Sequence, residues 1–447
     1  MSGIKTQQSA TNAYYVSRYV SSNNKNNGNN YAPVCAYANL IKIMTTGGWH
    51  HPPSSRLRTK QMKQHVTIED VTLAYYECRR TKRRTASQIE YELDYEINNL
   101  QLWRELNNGT YRIGQSIGFC ITYPKLREVF AAKFRDRIVH HLVMRKFLPL
   151  FDAQMIDSSY NCRKGKGAIY GVRDMQQKMR RITHNGQRTA WIMKCDIKGF
   201  FMSIDTDIAF CLVSDLIHKE YDGEDMEWWI SLFRMMIYNR PYVDCEWHGS
   251  ERLRDKVPEE KRIRGRNGVT IGNYPNQIIA NLYLTVFDRW LKSRLSVDEE
   301  YGRFVDDFAI MSYDKDRLLR LLHDSRVFLR ERLHLTLHPD KIELTRASQG
   351  LRFCGYIIRP NRIYVGRRTV GNMRRMIARY NKHGGDTDAM IRSYNSYMGF
   401  LRVGNSYNIR RRMWLAIDNK DNIVNINNKK LRKYENVHQN SNQQERV

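Results

Sequence analysis

No stretch of the sequence approaches the ~20 consecutive apolar residues that a membrane-spanning helix requires. The first fifteen residues, MSGIKTQQSATNAYY, lack the apolar core of a secretory leader. These two absences predict a cytoplasmic protein with no membrane partner. Eight cysteines, at 35, 78, 120, 162, 195, 211, 245 and 354, show no paired spacing. A disulfide framework and a zinc ribbon are therefore excluded, and the thiols are expected to be reduced and mostly buried. The adjacent pairs His50-His51 and His140-His141 have no cysteine close by, so local structure or RNA contact is expected of them, not zinc. No internal repeat is present. Acidic residues are scarce: 46 Asp and Glu stand against 74 Lys and Arg, a net charge of +28. That excess predicts a polyanionic partner. The basic residues are spread along the chain and do not form one amphipathic helix, which favours nucleic acid over a membrane surface.

What is present divides along the chain. Residues 1 to about 30 are rich in Asn, Ser and Gln, with SSNNKNNGNN at 21–30, and the stretch ENVHQNSNQQERV from 434 has the same character. Neither buries enough apolar surface to order itself. Order is expected from near Thr67. Thr67 with Asp70 resembles a helix start, and Ser87 with Glu90 has the spacing of a capping box. Ile89, Leu93, Ile97, Leu100 and Trp103 keep helical spacing up to Asn108-Gly109. A second amphipathic run, Ile138, Val139, Leu142, Val143 and Phe147, follows KFRDR. Strand-like runs lie at 191–197 (WIMKCDI), 301–311 (YGRFVDDFAIM) and 351–360 (LRFCGYIIRP). Strands interleaved with helices indicate an α+β core. Beyond Val365 the chain turns basic and helical.

Three segments carry chemistry. In FVDDFAIM, Asp306 and Asp307 sit between apolar residues, which suits a hairpin with the carboxylates at its tip. Two carboxylates forced together repel unless a cation neutralises them, so such a turn is a natural magnesium site. A solvated turn is the plain alternative. In KCDIKGFFMSID, Asp196 ends an apolar run 110 residues earlier. Nucleotide phosphoryl transfer needs oxygen ligands from separate elements to hold two metals ~3.5–4 Å apart. Asp196 and Asp306 would bridge two Mg2+ ions, with the Ile197 carbonyl as a further ligand and Asp307 nearby. In GVTIGNYPNQIIANLYLTVFDRWL, Gly272 and Pro275 mark a turn before a long amphipathic helix, and Gly272 lets the backbone approach a substrate closely.

In order and in flanking residues these segments resemble motifs A, B and C of reverse transcriptases. YPKLREVFAAKFRDRIVHHLV and SSYNCRKGKG resemble the finger region of the enzymes of diversity-generating retroelements. LTLHPDKIEL and LRFCGYIIRP resemble later palm segments ending in the primer grip. SYMGFL and NSYNIRRR resemble the thumb of the same enzymes. The resemblance spans about 67 to 410 and implies a right-hand polymerase. Its divisions would be a polar N-terminal extension (1–66), fingers and palm (67–365), a helical thumb (366–430) and a disordered tail (431–447). It implies that Lys125 and Arg127 reach the incoming triphosphate. Arg163, Lys164 and Lys166 would hold template or triphosphate phosphates. Phe201 would exclude a ribose 2′-hydroxyl, favouring dNTPs. Ile271, Gly272 and Gln277 would lie at the nucleotide. Lys341 would protonate pyrophosphate, and Phe353, Gly355 and Tyr356 would grip the primer. Core packing for Phe201 and Ile271, and solvated surface for the basic residues, are the structural alternatives.

The sequence departs from the common pattern at motif B, where most reverse transcriptases have Gln before the Gly and Ser-Pro after it. Ile271 and Gln277 fit the gene-diversifying subgroup; Asn276, in place of Ser, does not. The expected function is error-prone copying of a structured template RNA into cDNA, with a small basic accessory protein as partner, in a bacterial or phage-encoded system. A retron-type or anti-phage defence reverse transcriptase is the rival enzyme, and a non-catalytic RNA-binding scaffold the rival of another class. No ribonuclease H or integrase-like segment is recognisable after the thumb-like motifs.

Overall fold

The computed structural model describes residues 64–81, 85–122, 126–262, 265 and 267–418. The chain divides into two units, Met1–Gln61 and Met62–Val447, and every described residue belongs to the second. The polar tails, His50-His51, Cys35 and Lys125 lie outside the described residues.

Helix α1 (Ile68–Thr81) opens on a reciprocal cap. The Asp70 carboxylate accepts from the Thr67 backbone N–H at 3.1 Å, and Thr67 Oγ1 accepts from the Asp70 N–H at 3.1 Å. The expected cap at Ser87 does not form: α2 (Ala86–Leu93) starts after Thr85, with no side-chain cap. The helical run from Ile89 is interrupted at Asp94 (φ −130°, ψ 46°), and α3 (Tyr95–Asn107) resumes it. The first half of the expected core stripe is exposed, and Leu100 and Trp103 are half-buried. Ile89, Leu93 and Ile97 are 54%, 78% and 67% exposed, while Tyr91, Leu102 and Leu106 are buried. Gly109, at φ +70°, ends the segment as expected.

Strands β1 (Ser116–Ile121) and β2 (Arg127–Ala131) form an antiparallel pair that β4 (Cys245–Trp247) extends in parallel on the β1 side. The second amphipathic run lies in α4 (Phe134–Gln154), with Ile138, Val139, Leu142, Val143 and Phe147 all buried. Then come α5 (Ala168–Ile182), β3 (Trp191–Asp196), α6 (Phe200–Ser203), α7 (Thr206–Glu220), α8 (Met226–Ile237) and the short α9 (Glu251–Asp255). Helix α10 (Tyr274–Arg294) carries Pro275 in its first turn, where a missing N–H costs nothing. The chain continues through β5 (Glu300–Phe304), β6 (Asp307–Ser312), α11 (Lys315–Leu333) and β7 (Glu343–Arg346).

Strands β5, β6, β3 and β7 make an antiparallel sheet in that order. Two strands distant in sequence, β3 and β6, are thereby central neighbours. Their runs, Ile192, Met193, Cys195 and Phe308-Ala309-Ile310-Met311, are buried, as central strands covered by helices should be. Helix α10 packs on α4, α7 and α11, and α5 packs on β5.

A second small sheet joins β8 (Leu351–Phe353), β9 (Tyr356–Ile358) and β10 (Ile363–Val365). Three helices follow: α12 (Arg367–His383), α13 (Thr387–Leu401) and α14 (Tyr407–Leu415). Met373, Ile377, Met390, Tyr394, Met398 and Trp414 from these helices share one buried cluster with Phe353 and Tyr356. Among the described residues no helix is long and apolar enough to cross a membrane.

Candidate active site

Asp196 is the last residue of β3 and Asp307 the first of β6, and antiparallel register sets them directly opposite each other. Cross-strand partners lie ~4.5–5.5 Å apart at Cα and share a face of the sheet. Asp306 belongs to the two-residue loop, Val305-Asp306, that joins β5 to β6. The expected strand–turn–strand hairpin is thus present, with the acidic pair at its tip.

The loop is strained. Val305 has φ +59°, the left-handed region, where a β-branched residue is an outlier. A positive φ at the first of two loop residues is the type II′ arrangement, normally reserved for Gly. Such strain costs about 1–3 kcal/mol and persists only where the surroundings impose it. Here Asn161 Oδ1 accepts from the Val305 N–H at 2.9 Å, and Arg303 Nη1 donates to the Val305 carbonyl at 2.8 Å.

Two lysines neutralise the carboxylates. Lys341 Nζ donates to Asp196 Oδ1 at 2.6 Å, and Lys194 Nζ lies 3.2 Å from Asp307 Oδ1. Burial pushes the Asp307 carboxyl up to about 7; Lys194 opposes that rise, while Asp306 and Asp196 add to it. Asp307 Oδ1 is buried beside the Lys194 ammonium. A buried carboxylate oxygen beside a lysine is a ligand that a hard cation can take over. No three acidic, His or Cys side chains converge as a closed metal cage among the described residues. An open set of carboxylates is compatible with magnesium, which keeps several waters and shares its shell with substrate phosphates. The residues present therefore fit a divalent ion that arrives with a nucleotide. Ile197 makes an isolated β-bridge with Leu337, and the His338 N–H donates to the Asp196 carbonyl at 2.8 Å, which ties Lys341 to the end of β3.

The motif B loop lies against β2. The Phe130 N–H donates to the Ile271 carbonyl at 3.3 Å, and the Ala132 N–H to Asn273 Oδ1 at 3.1 Å. Gly272 has φ +122°, and a Cβ there would sit 3.0 Å from Val129 Cγ1 and 3.2 Å from the Phe130 carbonyl oxygen. Gly is required on both counts. Ile271 is half-buried in the turn and belongs to no strand; Gly272 and Gln277 are exposed. Gln277 Oε1 accepts from Cys162 Sγ at 3.3 Å. Asn276 is buried, with its amide donating to the Thr270 carbonyl and Oγ1. It thus caps the loop from within, a different role from one at the nucleotide. Phe201 is half-buried and meets Phe200 edge-on at 5.3 Å. Its carbonyl accepts from the Val269 N–H at 2.8 Å, which joins motifs A and B. Arg127 begins β2 and is half-buried.

Other expected ligands are placed elsewhere. Arg163 is 7% exposed and donates to both Asp152 carboxylate oxygens and to the carbonyls of Asp152, Ile156 and Ser159. Its five N–H donors are all taken up within the fold, so a phosphate there would have to compete with Asp152. Lys166 pairs with Asp157, donating to its carboxylate and its carbonyl; Lys164 is exposed. Phe353 and Tyr356 are buried, and Tyr356 stacks on Phe400 at 4.3 Å while its hydroxyl donates to the Phe400 carbonyl. Their side chains join the β8–β9 hairpin to the helices that follow. Gly355, exposed at φ +82°, leaves the turn backbone as the accessible part of this hairpin.

Lys194, Asn161, Arg303 and Asp288 entered no sequence argument. Lys194 was within reach, because residues i and i+2 of a strand share a face, which sets it beside Asp196.

A sheet that sets Asp196 opposite Asp307 across two distant strands, with Asp306 in the adjoining loop and a glycine turn and a long helix beside them, defines a right-hand nucleotide polymerase. Residues 124–358 match the family model described as "Reverse transcriptase (RNA-dependent DNA polymerase)", more than half of the chain. The protein belongs to the reverse transcriptase family, the RNA-directed DNA polymerases. No curated protein sequence matches it. Similar solved structures include apo telomerase from Candida tropicalis, with TM-score 0.44, 13% identity, and coverage of 68% of this chain and 55% of that one. Telomerase from Candida albicans, in complex with a TWJ fragment of telomeric RNA, has TM-score 0.40, 11% identity, and coverage of 71% and 60%. The Candida tropicalis telomerase truncated from its C-terminal domain gives 0.40, 12%, and 60% of both chains. This chain spans a little over half the length of these structures.

Proposed function

We propose that this protein is a catalytically active reverse transcriptase that copies a structured RNA into cDNA, with relaxed fidelity, as part of a diversity-generating retroelement. The register pairing of Asp196 with Asp307, with Asp306 in the adjoining turn, carries the reading. In this assignment Asp196 and Asp306 hold two magnesium ions, with the Ile197 carbonyl and Asp307 completing the oxygen set. Such ions supply an activated primer 3′-hydroxyl and neutralise the charge of the departing pyrophosphate. Gly272 admits the nucleotide sugar close to the backbone, and Phe201 lies in α6, five residues beyond Asp196, where a ring can exclude a 2′-hydroxyl. Ile271 supports the error-prone reading, because an apolar side chain offers the nucleotide no hydrogen bond.

Template RNA, cDNA, dNTPs and a small basic accessory protein are the partners of this reading. Nucleic-acid binding is supported by α12, where Arg367, Arg368, Arg374, Arg375, Arg379 and Lys382 are exposed. At helical spacing these form one stripe opposite buried Met373 and Ile377. Phosphate contacts of that kind make RNA affinity fall steeply with salt.

The deciding experiment is primer extension on an RNA template with magnesium and dNTPs. Asp306→Asn is expected to abolish extension and leave RNA affinity intact, since it removes a metal ligand and no phosphate contact. Extension by this variant at the parental rate contradicts the assignment.

A further inference from the structure

Arg303 and Asp288 are both fully buried, each 0% exposed at the side chain. The guanidinium donates from Nε to Asp288 Oδ1 at 2.7 Å and from Nη2 to Asp288 Oδ2 at 2.6 Å. Nη1 donates to Asn281 Oδ1 at 3.1 Å and to the Val305 carbonyl at 2.8 Å, and Nη2 to Ser159 Oγ at 3.1 Å. The five N–H donors of the arginine thus meet five acceptors. Asp288 Oδ1 also accepts from the Tyr301 hydroxyl at 2.6 Å. The ring of contacts closes through Asn161: its carbonyl accepts from Asn281 Nδ2 at 2.7 Å, and its Oδ1 accepts from the Val305 N–H at 2.9 Å.

Stability does not account for this network. Buried ion pairs replaced by apolar residues of similar volume often leave a protein as stable or more so. What the network does specify is one residue's backbone. Both the N–H and the carbonyl of Val305 are held by side chains, and Val305 is the β-branched residue at φ +59° immediately before Asp306. The same side chains lead to Gln277 on the motif B helix. Asn281 lies one helical turn beyond Gln277 on α10, and Asn161 precedes Cys162, which donates to Gln277.

We propose that Arg303 and Asp288 are positioning residues for nucleotidyl transfer. They impose the left-handed conformation at Val305, which aims Asp306 and Asp307 at Asp196 in register with the motif B helix. The inference rests on the polymerase reading above. Neither residue touches substrate; each acts through the Val305 backbone.

The test uses the full chain and four variants: the apolar double Arg303→Met/Asp288→Leu, the same double with Val305→Gly, Asn161→Ala, and Asn161→Ala with Val305→Gly. Single-turnover dNTP incorporation, RNA affinity and thermal melting are measured on each. The double is expected to fold and bind RNA as the parent does. Its incorporation rate constant should fall at least about tenfold with dNTP affinity changed less than about threefold, the pattern of a lost alignment and not of a lost contact. Glycine adopts a positive φ freely, so Val305→Gly in the double should recover a large part of the rate. A packing role alone gives no such recovery. If the double does not fold, Asn161→Ala takes its place, since it frees the Val305 N–H and leaves the ion pair intact; its rate should fall in the same way and recover with Val305→Gly. A folded variant that incorporates dNTP within about twofold of the parent, or one that Val305→Gly does not rescue, overturns the inference. A parent that extends no primer overturns the polymerase reading and this inference together, whereas an active parent beside an equally active double overturns this inference alone.

Discussion

Lys341 and Asp196, 145 residues apart in sequence, are joined by a 2.6 Å hydrogen bond from Nζ to Oδ1. The ammonium occupies one oxygen of the central carboxylate, so a metal ion binding there must displace it or share it. Lys341→Met is therefore expected to lower the magnesium concentration that gives half-maximal extension. The Lys341 side chain is 40% exposed, and partly exposed pairs are worth about 0–1 kcal/mol, so the change should be at most about fivefold. A magnesium titration of primer extension checks it; a higher requirement in the variant counts against the competition.

Asp307 sets a pH dependence in the metal-free protein. Its folded pKa of about 7 lies above the unfolded carboxylate value near ~4. The folded state therefore binds the proton more tightly. The stability so contributed is full below about pH 4 and is lost as pH rises through about 7. In EDTA the protein is expected to melt at a lower temperature at pH 8 than at pH 6. Asp307→Asn, neutral at both, should remove much of that difference. A difference that survives the substitution undiminished assigns it to other groups.

Gly272→Ala places a methyl group against Val129 and the Phe130 carbonyl at a backbone angle that L-residues avoid. The expected cost is about 1–3 kcal/mol of stability or an equivalent shift of the motif B loop. Thermal melting together with the KM for dNTP tells these apart. Unchanged values for both would show that the loop moves freely from β2.

Phe201→Ala is expected to admit ribonucleotides, because the ring lies in α6 just beyond Asp196 and is only half-buried. Competing rNTP and dNTP incorporation on one template measures the ratio. If rNTP use stays at the parental level, Phe201 serves packing against Phe200 and not selection.

Ile271→Gln restores to motif B the amide found in most reverse transcriptases. One hydrogen bond to the nucleotide is worth about 0.5–1.5 kcal/mol, or about two- to tenfold in discrimination. Error rates opposite each template base should fall by that factor. Errors unaffected by the substitution would remove this role of Ile271 and the support it lends to the error-prone reading.

Much of the site was legible because its signals are local. Apolar residues on both sides of Asp306-Asp307 demand a hairpin, and the run ending at Asp196 demands a strand; helical spacing from Ile138 to Phe147 marked a buried helix. These patterns depend on side-chain size and polarity at period 2 or 3.6 and need no knowledge of the partner. Gly272 was legible for the same reason, since a turn before a helix calls for backbone freedom.

The rest depended on which distant groups meet. Arg163 reads as a phosphate ligand in a basic loop, yet Asp152 and three carbonyls take up its guanidinium, because α4 ends beside that loop. Ile89, Leu93 and Ile97 read as a core stripe, yet they are exposed and Tyr91, Leu102 and Leu106 are buried, and periodicity does not report where one helix becomes two. Arg303 reads as a charge before a catalytic pair. Only the packing of α10 against β5 brings Asp288 to it, buries both and bends Val305 into its strained turn. Sequence determined which residues could do chemistry; tertiary structure decided which charges were neutralised by their neighbours and which were left to face a substrate. Desolvation and ion pairing are properties of three-dimensional proximity, and no linear spacing encodes them.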